Sequence, residues 1–197
     1  IALNPDDARA HLEMGIFKAE QGLLEQALNH YEEALRVEPG FAYALDRLGR
    51  LLAVMNRSEE AIARYEEAIA ADPSNQDVHY LLGRELLTQG RIEEAEARFR
   101  AALALNPEDA RAHNELGGIL AERGETDAAM RHYEEALRAA PQFGYVLYKM
   151  GQLFAEQGDF AEAEKRFQQA INLDPDNQNL HYLMGRELAA QDRDEEA

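Results

Sequence analysis

All six prolines of this 197-residue chain fall on one spacing: Pro5, Pro39, Pro73, Pro107, Pro141 and Pro175 stand 34 residues apart. A fixed period of that length, with no insertion anywhere, predicts a stack of like supersecondary units, each burying its apolar face against its neighbours. A stack offers partners a long surface and, by default, no enclosed catalytic pocket.

Other columns of the 34-residue layout are as regular. Gly15, Gly49, Gly83, Gly117, Gly151 and Gly185 form one row, each preceded by Leu or Met. Two alanine rows begin at Ala27 and Ala34, and between them runs an aromatic row of Tyr31, Tyr65, Phe99, Tyr133 and Phe167. Apolar residues recur at i, i+3, i+4 and i+7 on both sides of a break, which predicts two amphipathic helices per unit. The break is Gly22, Asn56, Gly90, Gly124, Gly158 or Asp192, residue types that tolerate the left-handed end of a helix. Asp7, Asn75, Asp109 and Asn177 stand two residues after a proline as N-caps, whereas Phe41 and Phe143 at the same register are expected to staple the turn.

The run of Leu-Gly, a small residue, an aromatic four later, another Ala and then Pro resembles the tetratricopeptide repeat over nearly the whole chain. The resemblance implies an all-α fold, a right-handed α–α superhelix (solenoid) of 34-residue helix-turn-helix repeats. Residues 1–7 would end a preceding repeat, full repeats would occupy 8–41, 42–75, 76–109, 110–143 and 144–177, and 178–197 would be partial. This amounts to about five and a half hairpins in a single array, expected to be a segment of a longer one, since no polar capping helix is visible at either end. The unpartnered first helix at 178–191 is expected to fray or pack on another molecule. Where the family often carries Trp, this chain has His11, Leu45, His79, His113, Leu147 and His181, and it has no Trp. Those histidines are read as packing residues with some pH sensitivity, because no two of the six are spaced i, i+4 as metal ligands on one helix would be.

A second period of 102 residues lies over the first. DARAH recurs at 7–11 and 109–113, and HYEEALR at 30–36 and 132–138. A three-repeat block has been duplicated, so a functional surface is expected in two related, unequal copies.

Composition narrows the function classes. Net charge is −18, which argues against nucleic acid or an anionic membrane as main partner. There is no Cys, hence no disulfide, thiol catalysis or Cys-based zinc site. This fits a cytoplasmic protein, and a periplasmic one as well. No apolar run reaches the length of a membrane span.

The expected first helices carry nine basic and nine acidic residues, so the net acid belongs to second helices, turns and ends. In the resembled family the first helices line the concave groove, which makes that groove the relatively basic side. Tyr43, Arg47 and Arg50 share one helix face by their spacing. Tyr80 with Arg84 and Tyr182 with Arg186 repeat it, and Tyr145, Tyr148, Lys149 and Gln152 form the stripe of the fifth unit. Tyr and Arg are enriched at binding hot spots; alternatively, the arginines are tied to carboxylates such as Asp46 on neighbouring turns. Gly118 shares the row of Arg50, Arg84 and Arg186 and leaves a gap that would admit a bulky side chain.

The family's carboxylate-gripping site would need Lys and Asn where Leu12 and Ile16 stand, Asn in place of Arg47, and Lys and Arg in place of Asp77 and Leu81, and the asparagine ladder of its sugar-transferring members is absent too. No nucleophile–base set or phosphate-cradling loop stands out, and no cofactor or metal is expected. The chain is therefore read as a non-enzymatic scaffold binding a protein or peptide segment, plausibly acidic, in its groove. Two alternatives stand beside this: a substrate-recruiting arm of a larger enzyme or polysaccharide-export protein, and a homo-oligomer stacked through terminal repeats.

Overall fold

The computed structural model describes residues 7–177 together with 181, 182, 184–186 and 189. Among them are ten α-helices in five hairpins. They are α1 (Ala8–Glu20) with α2 (Leu24–Val37), α3 (Ala42–Val54) with α4 (Ser58–Ala71), α5 (Gln76–Thr88) with α6 (Ile92–Leu105), α7 (Ala110–Glu122) with α8 (Thr126–Ala139), and α9 (Gly144–Glu156) with α10 (Phe160–Leu173). The expected first helix at 178–191 lies mostly outside the described residues, as do the expectations for residues 1–6 and Asp192.

The chain forms two compact units, Ile1–Asn106 and Pro107–Ala197. In the first, hairpins α1/α2, α3/α4 and α5/α6 stack so that α2 packs on α3 and α4 on α5, with the first helices α1, α3 and α5 side by side. In the second, α7/α8 and α9/α10 stack in the same way, α8 on α9 and α7 beside α9. Each unit is thus a helical repeat in which α2, α4 and α8 are each covered by the next hairpin of the same unit.

Local chemistry explains where helices begin and end. Gly22, Gly90, Gly124 and Gly158 take φ between 72° and 78°, and Asn56 takes 57°, the left-handed conformation that Gly and Asn reach at least steric cost. Around the first of these turns, Leu23 N–H donates to Lys18 O at 3.0 Å and Gly22 N–H to Ala19 O at 2.9 Å, satisfying carbonyls that the helix end leaves open. Asp7 caps α1, Asn75 caps α5 and Asp109 caps α7 through the side chain, whereas Phe41 and Phe143 make no cap hydrogen bond. Phe143 packs instead on the cluster of Leu120, Tyr133, Val146 and Met150.

The interior of each hairpin is one aromatic ring against one glycine. A Cβ placed on Gly15 would fall 2.5 Å from the Tyr31 ring, on Gly49 2.6 Å from Tyr65, and on Gly83 2.7 Å from Phe99. Gly151 meets Phe167 in the same way. The rings are almost wholly buried. The glycine row therefore exists for close approach of a ring to a helix backbone.

Candidate protein-binding groove

The first helices of each unit carry the residues singled out by sequence, and their environments differ sharply. Tyr43 at the start of α3 is 48% exposed, and Tyr145 at the start of α9 is 42% exposed. Tyr182 is exposed as well. By contrast Tyr80 is 7% and Tyr148 2% exposed. The expectation that these two supply groove contact area is corrected: Tyr80 packs on Phe99 with ring centroids 5.9 Å apart, and Tyr148 on Phe167 at 5.8 Å. They are core residues beneath the groove, because they stand three residues further along their helices than Tyr43 and Tyr145 do, and that step of less than a full turn rolls them towards the second helix of their own hairpin.

The cations also divide. Arg50 Nε donates to Asp46 Oδ1 at 2.8 Å, and Asp46 is buried, so this guanidinium is fixed by a charge within its own helix. Arg47 is hydrogen-bonded to the Tyr31 hydroxyl, and that bond opposes the burial that raises the Tyr31 pKa. Arg84 is exposed and has no ion pair among the described residues. Arg186 is exposed too. Lys149 places its ammonium 5.6 Å from the Tyr145 ring centroid, an arrangement in which the ring face attracts the charge.

The second unit opens a cleft of about 230 Å³ between the C-terminal halves of α7 and α9. Gly118, Ala121 and Leu153 give its apolar wall; Lys149, Gln152, Glu122 and Glu156 give its polar rim; Tyr133 from α8 lies at its floor. A Cβ on Gly118 would meet nothing nearer than the Tyr133 hydroxyl, 4.0 Å away. The first unit carries Ile16 at the equivalent register. Within this cleft the local charge is nonetheless acidic: Glu122 and Glu156, the last residues of α7 and α9, both line it with the single ammonium of Lys149.

Sequence reasoning also missed how the histidines pair. His11 Nδ1 lies 3.3 Å from His30 Nδ1, and His113 Nδ1 lies 2.9 Å from His132 Nδ1. The partners are 19 residues apart in both cases, across one hairpin, and the recurrence of the pair at 102 residues was the available signal. The Nε2 atoms of His79, His113 and His181 reach the carbonyls of Pro73, Pro107 and Pro175 at 3.2, 3.0 and 2.8 Å. A histidine in this slot thus ties the first helix to the preceding proline turn by donating its Nε2–H to the carbonyl. Burial, with the neighbouring His11 and Lys18 charges, lowers the His30 pKa. No third His, Asp or Glu completes a metal site among the described residues.

Family models of the tetratricopeptide repeat match residues 80–142 in one form and residues 18–85, 120–187 and 154–197 in another. The chain belongs to the tetratricopeptide repeat family. Solved structures share its fold. The TPR protein YrrB, which has an unusual peptide-binding site, is 26% identical over 91% of this chain and 92% of its own, with a TM-score of 0.75. The pilF protein of Pseudomonas aeruginosa is 26% identical over 96% of this chain and 87% of its own, at 0.79. MamA of Desulfovibrio magneticus RS-1, at 20% identity, covers 90% of this chain and 99% of its own at 0.79, a likeness of fold alone. No curated protein sequence matches. TPR proteins are in general interaction scaffolds without catalysis. No helix among the described residues is long and apolar enough to cross a membrane.

Proposed function

We propose that this TPR chain is a non-enzymatic scaffold that holds a protein or peptide segment against its first helices. The observation that carries this reading is the repeated pairing of an exposed tyrosine with a cation one turn along. Tyr43 precedes Arg47, and Tyr145 precedes Lys149, 102 residues later. Neither ring is needed by the core, since each is nearly half exposed. Rigid, amphipathic rings beside fixed charges are what binding surfaces select. The peptide-binding site of YrrB shows that a fold of this kind can serve that role, and it supports the same use here.

Acidic groups on the bound segment are assigned to Arg84, the exposed cation of α5, more than to Arg50, whose charge is already matched by Asp46. Electrostatics of this kind sets orientation and on-rate first. A displayed peptide library panned on the chain tests the reading. Binders should lose about tenfold in affinity, or roughly 1.4 kcal/mol, when Tyr43 and Tyr145 are both changed to Ser. Arg84→Glu should weaken the acidic binders selectively, and salt should weaken them in the wild type. Binders indifferent to both variants and to salt would move the site off the first helices.

A further inference from the structure

The cleft between α7 and α9 differs from its counterpart in the first unit in bulk, in hydrogen bonding and in charge, with Glu156 standing where Val54 stands. Gly118 stands where Ile16 stands, and Lys149 where Arg47 stands. In the first unit Arg47 satisfies the Tyr31 hydroxyl. In the second, Tyr133 is 1% exposed and its hydroxyl has no hydrogen-bond partner among the described residues, while the side chain that would cover it is missing. The ring is buried while its hydroxyl opens onto the cleft, so that oxygen can accept a hydrogen bond from a ligand.

The charges around that hydroxyl define the ligand. Glu122 and Glu156 make no ion pair among the described residues and line the cleft, at the ends of α7 and α9 where unpaired carbonyls add partial negative charge. Lys149 also lines the cleft, with its ammonium over the Tyr145 ring. Burial chiefly, then the charges of Tyr145, Glu115, Glu122 and Glu156, raise the Tyr133 pKa well above the usual tyrosine range. The cleft is thus lined by two carboxylates against one ammonium.

We infer that this cleft is a specificity pocket for one lysine or arginine side chain of the segment bound along the first helices, a deepening that rests on the scaffold reading above. The aliphatic stem lies on Gly118, Ala121 and Leu153, as long basic side chains do on apolar surface. The cationic head sits between Glu122 and Glu156 and donates a hydrogen bond to the Tyr133 hydroxyl, which is open to accept it. Among the described residues two consecutive carboxylates occur in this row at Glu122 and Glu156, since it reads Glu20, Val54 and Thr88 in the first three repeats.

The test is a random dodecapeptide display library panned in parallel on three folded proteins: the wild-type chain, Gly118→Ile, and Glu122→Gln with Glu156→Gln. The isoleucine restores the residue of the first unit, and the glutamines keep shape while removing charge. The wild type is expected to enrich Lys or Arg at one fixed position of its binders. Both variants should reduce that enrichment about tenfold, equivalent to about 1.4 kcal/mol, with the rest of the motif unchanged. Binders without a fixed basic residue, with a basic residue enriched equally on all three proteins, or with an acidic residue lost in Gly118→Ile would overturn this inference and leave the scaffold reading standing. No enrichment on any of the three would overturn both.

Discussion

Tyr133 lies against the backbone of Gly117 so closely that a Cβ on that glycine would be 2.5 Å from the ring. The next residue, Gly118, faces the open cleft. Two adjacent glycines of one helix thus answer opposite demands, and the same substitution should have opposite signs. Gly117→Ala forces a buried ring to shift and should lower stability by about 1–3 kcal/mol. Gly118→Ala meets nothing and should raise it by up to about 1 kcal/mol, the helix-propensity gain. Urea unfolding of the two variants reads the signs directly; a shared sign would contradict the packing described.

Tyr145 and Tyr148 provide a second contrast within one helix. Tyr148→Ala removes a buried ring from Phe167 and should destabilise by about 3–5 kcal/mol. Tyr145→Ala, at an exposed position, should change stability by less than about 0.5 kcal/mol while weakening partner binding. Thermal melts and binding assays on the same two proteins separate the effects.

Asp109 caps α7 by accepting from the backbone N–H of Arg111 at 3.0 Å and Ala112 at 3.4 Å, and it also accepts from the Arg111 side chain. Burial alone would raise its pKa; the hydrogen bonds and charge of Arg111 and the two backbone donors outweigh that and hold it below the ordinary 3.8. The ionised cap is stabilising above that value and its contribution is lost as pH falls through the lower, folded value. Asp109→Ala should cost about 1–2 kcal/mol at neutral pH, and the gap to wild type should close as pH is taken below 3.8. A gap independent of pH would show that the carboxylate is not the cap.

The histidine pairs predict a response nearer neutrality. Each Nδ1–Nδ1 hydrogen bond needs one ring to donate and the other to accept, so it cannot survive when both rings are protonated. For His30 the folded pKa is below the ordinary 6.5. The unfolded chain then binds the proton more readily, and stability falls as pH drops below 6.5 and levels off beneath the folded value. His30→Gln combined with His132→Gln should flatten that fall. Denaturant midpoints measured from pH 7.5 to 5.5 in wild type and variant would show it, and parallel curves would remove the pairs as its cause.

The helices, turns and caps were legible because the period repeats each position, so that a column such as Gly22, Asn56, Gly90 states its own backbone requirement. The side-chain directions within the groove were less so. Residues three apart differ by only about 60° around a helix, and that angle separates exposed Tyr145 from buried Tyr148. The Arg50–Asp46 pair followed from i, i+4 spacing. The histidine pairs did not, because their partners lie on different helices of a hairpin. Gly118 was visible as a gap in an arginine row, but its meaning depends on the Tyr133 hydroxyl behind it, which belongs to another helix.

Because every hairpin rests on the same glycine-and-ring joint, the first-helix face behaves like a rack of fixed sockets whose spacing no groove residue controls. Duplication of three repeats supplied a spare rack. In one copy an isoleucine and an arginine–tyrosine bond plug a socket; in the other the plug has been taken out without disturbing the frame. Such a scaffold can acquire a new preference by editing a few surface side chains, at no expense to its folding.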